Sequence, residues 1–327
     1  MKKILSLTLA IIMVAISLFA LASCAKKTDD NIKVSVLNGT TGFGMAQLME
    51  KNSTEETKNS YEFKVEKDAS NIMAGLNQGT IDIAALPTNA AATAFNNTNG
   101  GVQIIAINTL GVLTIMQNSE GERIDDIKDL EGKTIHCPKQ NPAQILNYIL
   151  KQNGVNATIK TDFAAPADLV SAFMTQKTKD EAGAEIAIDI DIAVIPQPMA
   201  TQVLNKKGAA GYTLSLDLSE EWKKVSNEEL VQGCIVARTD FIKEFPGSVA
   251  DFLEEYEDSI KFTNKNPKQA GEYIKKYEIA ADAALAEKAI PNCNITFIIG
   301  NDMENKMQNF LDALGIKLNE GTFYYKK

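Results

Sequence analysis

The chain contains one pattern twice, and this repeat limits the folds that it can adopt. The segment Gly79–Pro87 reads GTIDIAALP and the segment Ile188–Pro196 reads IDIDIAVIP. Each is an apolar strand that ends at a proline, and each closes the same predicted order of strand, loop, helix, strand, helix and strand. Nearly continuous apolar strands are typical of parallel sheets that are buried on both faces. The repeat therefore predicts two similar α/β lobes, each a mostly parallel sheet flanked by helices.

The size of the chain agrees with two lobes. The sequence has 327 residues, of which 45% are hydrophobic, and a single core stops growing near this size. Gly111 separates two apolar strands and marks the first crossover between the lobes, and the apolar strand at 230–238 is available for the return. We therefore assign residues 32–110 and 240–327 to lobe 1 and residues 111–239 to lobe 2.

The N-terminus has the layout of a bacterial lipoprotein signal peptide. Two lysines precede a charge-free apolar run over residues 4–22, and the sequence LASC at residues 21–24 resembles a lipobox, whose cysteine receives a diacylglycerol. An uncleaved membrane anchor is the alternative, because the run is just long enough to span a bilayer. The lipobox favours a signal peptide over residues 1–23, lipidation of Cys24 and a tether over residues 24–31. Acyl chains on Cys24 would hold the protein to the membrane at the cell surface or in the periplasm.

Charge and composition exclude several classes of function. The net charge is −9, the wrong sign for a surface that must neutralise nucleic-acid phosphates. His136 is the only histidine, which excludes a two-histidine metal site. The acidic residues at 180–191 lack the spacing of a calcium-binding loop, and no Gly-x-Ser-x-Gly motif is present. We therefore predict no metal, no cofactor and no catalytic residue.

The cysteines that follow Cys24 fit no zinc or redox spacing. They are Cys137, Cys234 and Cys293. Free buried thiols are the favoured interpretation, and one long-range disulfide is the alternative.

Four loops are candidates for ligand binding. In open parallel sheets, ligands bind beyond the carboxyl ends of the strands. Such loops follow predicted strands at residues 38–44, 87–89, 138–142 and 196–198. The first is the strongest candidate, because its glycines allow close backbone approach and its threonines lie beside a helix N-terminus. An ordinary turn with a threonine cap is the alternative for this loop.

Several segments, in the same order, resemble one family, the solute-binding lipoproteins of ABC importers that include nitrate, sulfonate, taurine and thiamine-pyrimidine binders. The resemblance rests on segments spread over the mature chain: Ile72–Pro87, IKDLEGKTI at Ile127–Ile135, VARTDF at Val236–Phe241, Phe245–Pro246, Asn266–Pro267 and Ala289–Pro291. It implies a type II periplasmic-binding-protein fold with two crossovers, in which hinge closure traps a small solute. The implied partners are a membrane permease and its ATPase, and the chain itself is expected to be a monomer and not an enzyme.

The resemblance also implies which loop residues contact the solute. They are Asn38, Gly39, Thr40, Thr41, Gly42 and Phe43 in the first loop, Pro87, Thr88 and Asn89 in the second, Lys139, Gln140 and Asn141 in the third, and Gln197 in the fourth. One departure from the family is an insertion over residues 177–187.

Two other functions are compatible with this scaffold. The first is an enzyme that resembles thiamine-pyrimidine synthases or chorismate dehydratases, although the lipobox argues against cytoplasmic proteins of that kind. The second is a surface adhesin, for which neither a bound small molecule nor closure of the lobes is expected.

Overall fold

The structure is a computed structural model that describes residues 28–29, 31–118, 121–139, 141–163, 165–180, 182–207 and 211–326. The strands are β1 Ile32–Leu37, β2 Tyr61–Glu66, β3 Ile83–Pro87, β4 Val102–Leu110, β5 Leu113–Asn118, β6 Thr134–His136, β7 Thr158–Lys160, β8 Lys177–Lys179, β9 Glu185–Ala187, β10 Ile192–Pro196, β11 Tyr212–Asp217, β12 Val231–Arg238 and β13 Ile295–Ile298. The α-helices are α1 Thr40–Phe43, α2 Ala46–Ser53, α3 Ala69–Gln78, α4 Thr88–Asn97, α5 Asn141–Asn153, α6 Pro166–Thr175, α7 Met199–Lys207, α8 Leu218–Ser226, α9 Thr239–Glu244, α10 Pro246–Lys265, α11 Pro267–Lys276, α12 Ala283–Ala289 and α13 Gly300–Ala313.

The strands form two separate sheets, as the repeat predicts. The first sheet has the order β13-β4-β12-β3-β1-β2, and the second has the order β11-β5-β10-β6-β7. In each sheet a run of three strands is parallel: β3-β1-β2 in the first and β10-β6-β7 in the second. The predicted two-lobed α/β fold is confirmed.

Both sheets are mixed, whereas the sequence predicts mostly parallel ones. The strands that border the crossovers, β4, β5 and β12, run antiparallel to their neighbours. They carry the chain from one sheet to the other and back, so their direction follows from the path of the chain. The insertion at residues 177–187 forms the separate hairpin β8-β9 and packs against α6.

Strand β12 lies in the first sheet, although the sequence-based division at residue 239 places it with lobe 2. It is inserted between β3 and β4, with Cys234 opposite both Leu86 and Ile107. Most of this strand is buried, and it pairs the edges of β3 and β4 that would otherwise expose backbone N–H and C=O groups. The chain therefore returns to the first sheet at Val231, several residues before the division that the sequence pattern indicates.

Short polar residues define the ends of several helices. Asp68 accepts a hydrogen bond from the backbone N–H of Ser70 at the start of α3, and Gly79 ends this helix with a φ of 71°. Asp217 caps α8 in the same way through the N–H of Ser219. Strand β3 begins at Ile83, four residues after Gly79, so the end of α3 helps to fix where β3 enters the sheet.

Three hydrophobic clusters cover the sheets. One lies between the first sheet and helices that include α2, α10 and α11, and another covers the face of the second sheet that carries α6 and α7. The third is continuous from the first sheet to the second. In it, the buried Trp222 of α8 contacts Tyr148 of α5 and Phe310 of α13, with ring centroids 4.7 and 5.6 Å apart. The two sheets thus share part of one core beside the crossovers.

An ion pair fixes β12 to its neighbours, and its removal should destabilise the protein. The guanidinium of Arg238 lies 2.6 Å from the carboxylate of Asp82, which also accepts a hydrogen bond from the N–H of Lys33 in β1. We expect Asp82→Ala to lower the free energy of unfolding by about 2 kcal/mol, since it leaves a partly buried guanidinium without its partner. Urea denaturation measures the difference.

The chain offers a matched control for this substitution. Arg123 and Asp125 form the same kind of pair at 2.7 Å, but both side chains are exposed. Asp125→Ala should change the stability by less than about 0.5 kcal/mol. Equal losses in the two variants would show that the pair at β12 has no special structural role.

Candidate ligand-binding site

The four candidate loops lie in two adjacent pairs. Strands β1 and β3 are parallel neighbours, so the first loop, after Leu37, and the second, after Pro87, leave the same edge of the first sheet. Strands β6 and β10 are parallel neighbours in the second sheet, so the third loop and the fourth loop at Gln197 leave one edge there. The topology therefore gives each sheet one edge with two loops, as expected for a ligand site.

The first loop is held by tight backbone packing. Gly39 has a φ of 101°, which favours glycine, and its N–H donates to the carbonyl of Ile279 at 3.0 Å. The side-chain amide of the exposed Asn38 donates to the carbonyl of Glu278 at 3.1 Å. A β-carbon at Gly42 would lie 2.3 Å from the carbonyl oxygen of Leu37. The turn into α1 can therefore lie directly on β1 only with glycine at this position.

The side chains of the first loop point mainly into the protein. Thr40, Thr41 and Phe43 are buried, and Phe43 belongs to the core of the first sheet. This loop consequently offers a ligand its backbone more than its side chains, and a ligand contact for the ring of Phe43 stays a prediction.

Asn108 is a polar residue of this region that the sequence analysis does not identify. Its buried side-chain amide donates to the carbonyl of Thr41 at 2.8 Å and to the hydroxyl of Tyr256 at 3.0 Å. It thereby fastens the first loop to β4 and α10. The signal in the sequence is the polar pair Asn108–Thr109 near the end of a mostly apolar strand.

The second loop is fastened to the return crossover. The fully buried Thr88, which begins α4, donates from its hydroxyl to the carbonyl of Val231 at 2.8 Å. Pro87 ends β3, and Asn89 is partly buried. The next residue after Val231 is Gln232, whose buried Oε1 has no hydrogen-bond partner among the described residues. The sequence analysis also misses Gln232, since a lone glutamine at a strand start carries little signal.

The third loop leads into α5 and contains the least satisfied polar group of the site. Asn141 begins α5 and is only 5% exposed, yet neither its Oδ1 nor its Nδ2 has a hydrogen-bond partner in the described part of the chain. Lys139 is exposed, and Gln140 lies outside the described residues. Buried polar groups are almost always paired with protein, water or ligand. The Asn141 amide is therefore a candidate for contact with a ligand or a bound water.

The fourth loop is ordered by its own helix and by the crossover. Gln197 is buried, and its Oε1 accepts from the hydroxyl of Thr201 at 2.7 Å. Its N–H donates to the carbonyl of Val112 at 2.9 Å, and its bond to Pro198 is cis. These contacts fix the start of α7.

The crossovers bring the loops of the two sheets towards each other. On the second-loop side, the hydroxyl of Thr88 donates to the carbonyl of Val231, and Val231 pairs with Leu110. Two residues after Leu110, the carbonyl of Val112 accepts a hydrogen bond from the N–H of Gln197 in the fourth loop. Asn294 donates to the carbonyl of Gly111 between them at 2.6 Å. Beside this junction, α12 of the C-terminal segment contacts α7, which follows the fourth loop. The second and fourth loops are therefore both bonded to the crossover segments.

The electrostatics of the loops are close to neutral. Among their predicted ligand residues only Lys139 is charged, and it is exposed. The two arginines lie elsewhere, since Arg238 pairs with Asp82 and Arg123 pairs with Asp125. A bidentate arginine clamp is thus excluded, and a ligand would meet amide side chains and the backbone N–H groups at the N-termini of α4 and α5.

The cysteines do not contribute to this chemistry. Cys137, Cys234 and Cys293 are free and buried, as the favoured interpretation predicts. Burial raises the pKa of each thiol above its ordinary value, so the thiolate is disfavoured. Cys24, the predicted lipidation site, lies outside the described residues. In the described ranges, no three metal-ligating side chains converge, and no helix is long and apolar enough to cross a membrane.

Solved structures with the same fold come from transport systems. An ABC transporter protein from Parabacteroides distasonis is 18% identical with a TM-score of 0.71 and matches 91% of this chain and 100% of its own. The periplasmic aliphatic sulphonate binding protein SsuA of Escherichia coli is 14% identical with a TM-score of 0.67, over 92% and 95% of the two chains. The ligand-binding component of an ABC-type import system of Staphylococcus aureus, solved with zinc bound, is 13% identical with a TM-score of 0.66, over 91% and 97%. These similarities show that the chain has the periplasmic-binding-protein fold.

Sequence comparison gives a different and smaller match. A family model described as menaquinone biosynthesis matches residues 201–314, which is less than half of the chain. No curated protein sequence matches the chain.

The close packing at Gly42 generates a test of the first loop. We expect Gly42→Ala to lower the free energy of unfolding by about 2 kcal/mol, because the new methyl group overlaps the Leu37 carbonyl and the side chains of Val36 and Ile279. Gly121→Ala is the control, since its β-carbon would have no neighbour closer than 3.5 Å. Thermal and urea denaturation measure the stability of both variants. Similar stabilities for the two would contradict the described loop geometry.

Proposed function

We propose that this protein is an extracytoplasmic solute-binding lipoprotein of an ABC importer. Between its two lobes it binds a small organic solute, traps it by hinge closure and delivers it to a membrane permease that a partner ATPase drives. The fold and the transport proteins that share it support this role. The observation that carries the proposal is the buried Asn141 amide at the N-terminus of α5, whose two polar atoms have no hydrogen-bond partner among the described residues.

The solute contacts follow from this placement. The N–H groups of the first loop and of the N-termini of α4 and α5 donate to solute oxygen atoms, and the amides of Asn141 and Gln197 recognise polar groups. Thr88 positions the second loop through Val231. Asn38, Gly39, Thr40, Thr41, Gly42, Phe43, Pro87, Asn89, Lys139 and Gln140 complete the proposed contact set. Because a solute that touches both lobes favours the closed state, binding and closure are coupled.

The cellular setting of the proposal rests on the N-terminus. Cleavage after residue 23 and lipidation of Cys24 would leave a monomer tethered through residues 24–31 to the outer face of the membrane. The lobes proposed for this protein meet at the crossovers, with β12 and the C-terminal helices in lobe 1.

A second candidate function is an enzyme on the same scaffold. The match of residues 201–314 to a family described as menaquinone biosynthesis favours it. It requires a chemical conversion of the bound molecule, whereas a transport protein releases the molecule unchanged.

The Asn141 amide provides the main test of solute binding. We expect a solute that raises the melting temperature of the full chain, found in a broad panel or by mass spectrometry of co-purified material, to bind Asn141→Ala at least about tenfold more weakly. The unliganded variant should be as stable as the parent or more so, because a buried amide without partners is removed. A solute at 100 times its Kd adds about 2.7 kcal/mol to the parent.

The matched control is Asn153→Ala, at the other end of α5, where the side chain donates to the carbonyl of Ile149. It should leave solute affinity unchanged. Loss of stability without loss of affinity in Asn141→Ala would contradict the binding role. Turnover of a bound panel compound by the purified protein would instead establish the enzyme.

Lipid attachment is tested at Cys24. When the full chain is expressed in a bacterium, we expect Cys24→Ser to abolish incorporation of labelled palmitate and to move the protein out of the washed membrane fraction. Cys137→Ser is the control, since this thiol is buried, and it should leave labelling unchanged. An unlabelled parent protein in the cytosol would contradict the lipoprotein assignment.

A further inference from the structure

A cavity on the second sheet is lined by none of the residues of the four loops. Its volume is about 440 Å³, within the usual range for small-molecule sites. Thr134 at the start of β6 and Asp191 just before β10 line it. His136 and Lys160, which end β6 and β7, line it as well, so the cavity extends along these parallel strands, and neither Asn141 nor Gln197 belongs to its lining. We call this cavity the His136 groove, after its most buried polar lining residue.

His136 provides an unsatisfied hydrogen-bonding group in the groove. The residue is 3% exposed, and its Nδ1 has no hydrogen-bond partner in the described ranges. The imidazole lies beside Phe163, with ring centroids 6.2 Å apart. A buried polar atom without a partner costs folding free energy, so this arrangement is typical of a site that a ligand completes.

The imidazole is neutral near neutral pH. Burial and then the positive charge of Lys160 lower the pKa of His136, while Asp162 and Asp189 act in the opposite direction. A neutral imidazole has one N–H donor and one acceptor nitrogen. It can therefore bind a carboxylate oxygen or a hydroxyl without adding net charge.

The walls of the groove carry unpaired charges of both signs. Lys133 is already paired with Glu122 at 3.0 Å. In contrast, Lys160 on one side and Asp189 and Asp191 on the other form no ion pair within the described part of the chain. The groove thus offers one free ammonium group, two free carboxylates and a neutral imidazole. A purely anionic or purely cationic ligand would leave one side without a counter-charge.

We propose that the His136 groove is a second binding site, for a small zwitterion of the amino-acid type. The ligand carboxylate binds Lys160 and the imidazole of His136, and its ammonium group binds Asp189 and Asp191. Because the free carboxylates outnumber the free ammonium group, a ligand with a second amino group binds more tightly than one with a second carboxylate. The site is separate from the proposed solute cleft and does not depend on it.

Titration calorimetry of the full chain with L-lysine, L-alanine and L-glutamate, each alone, tests this site. We expect binding to weaken from lysine to alanine to glutamate. Asp189→Asn, Lys160→Gln and His136→Phe should each raise the Kd for lysine at least tenfold, and the last variant keeps an aromatic ring beside Phe163. Asp168→Asn and Lys151→Gln, the same changes at exposed positions outside the groove lining, are the controls and should leave the Kd unchanged.

Asn141→Ala separates this proposal from the proposed solute site. It should leave lysine binding intact, even if it abolishes binding of the transported solute. Three results would overturn the second site: no binding of any of the three amino acids, binding insensitive to the changes at Asp189 and Lys160, or lysine binding that is lost only in Asn141→Ala. The melting temperatures of all variants show which of them fold.

Discussion

The placement of β12 between β3 and β4 is the constraint on which the rest of the structure depends. The chain must leave the first sheet, build the second and return, and the returning strand completes the hydrogen bonding of two strands that the first half of the chain leaves unpaired. The ion pair of Arg238 with Asp82 fixes one end of β12, and the bond from Thr88 to Val231 fixes the other. A strand held at both ends defines where the crossovers lie, and with them the line along which the lobes meet.

The ligand loops inherit their positions from this junction. Thr88 is bonded to the return crossover and Gln197 to the outgoing one, so loops from different sheets come close together without any direct bond between them. Thr88, Gln197 and Asn294 form hydrogen bonds to the crossover segments. In contrast, the Asn141 amide and Oε1 of Gln232 have no hydrogen-bond partner among the described residues. The contacts with the crossover segments hold the loops in place, and in the proposed function the groups without partners bind the solute.

The charge distribution differs between the two proposed sites. Around the loops, neutral amides and backbone N–H groups predominate, because both arginines are engaged in other ion pairs. In the His136 groove, Lys160, Asp189 and Asp191, which form no ion pair with any described residue, lie around a buried imidazole. Neutral hydrogen-bonding groups discriminate by shape and donor pattern, and the mixed charges of the groove discriminate by the charge pattern of the ligand. The fold that this chain shares with transport proteins supports the proposed solute site at the loops, and it gives no support to the proposed site in the His136 groove.

Much of the fold could be predicted from the local pattern of apolar and polar residues. The repeated apolar strands ending at Pro87 and Pro196 predict two sheets, and the order of elements around them agrees with the structure, because the burial of a strand or helix face imprints its period on the sequence. The loops after these strands were identified for the same reason. Three features could not be predicted in this way, because they depend on partners far away in the chain. They are the mixed direction of the sheets, the position of β12 and the hydrogen bonds of Asn108.

The sequence by itself thus determined the kinds of elements, the doubling of the α/β unit and the loops that end its strands. Only the tertiary structure decided that Phe43 lies in the core and that β12 belongs to the first sheet. It also decided that the Asn141 amide and Nδ1 of His136 are buried without a partner among the described residues. Hydrophobic periodicity is a local property, whereas pairing between strands and the satisfaction of a buried polar atom depend on which distant groups the folded chain brings within hydrogen-bonding distance.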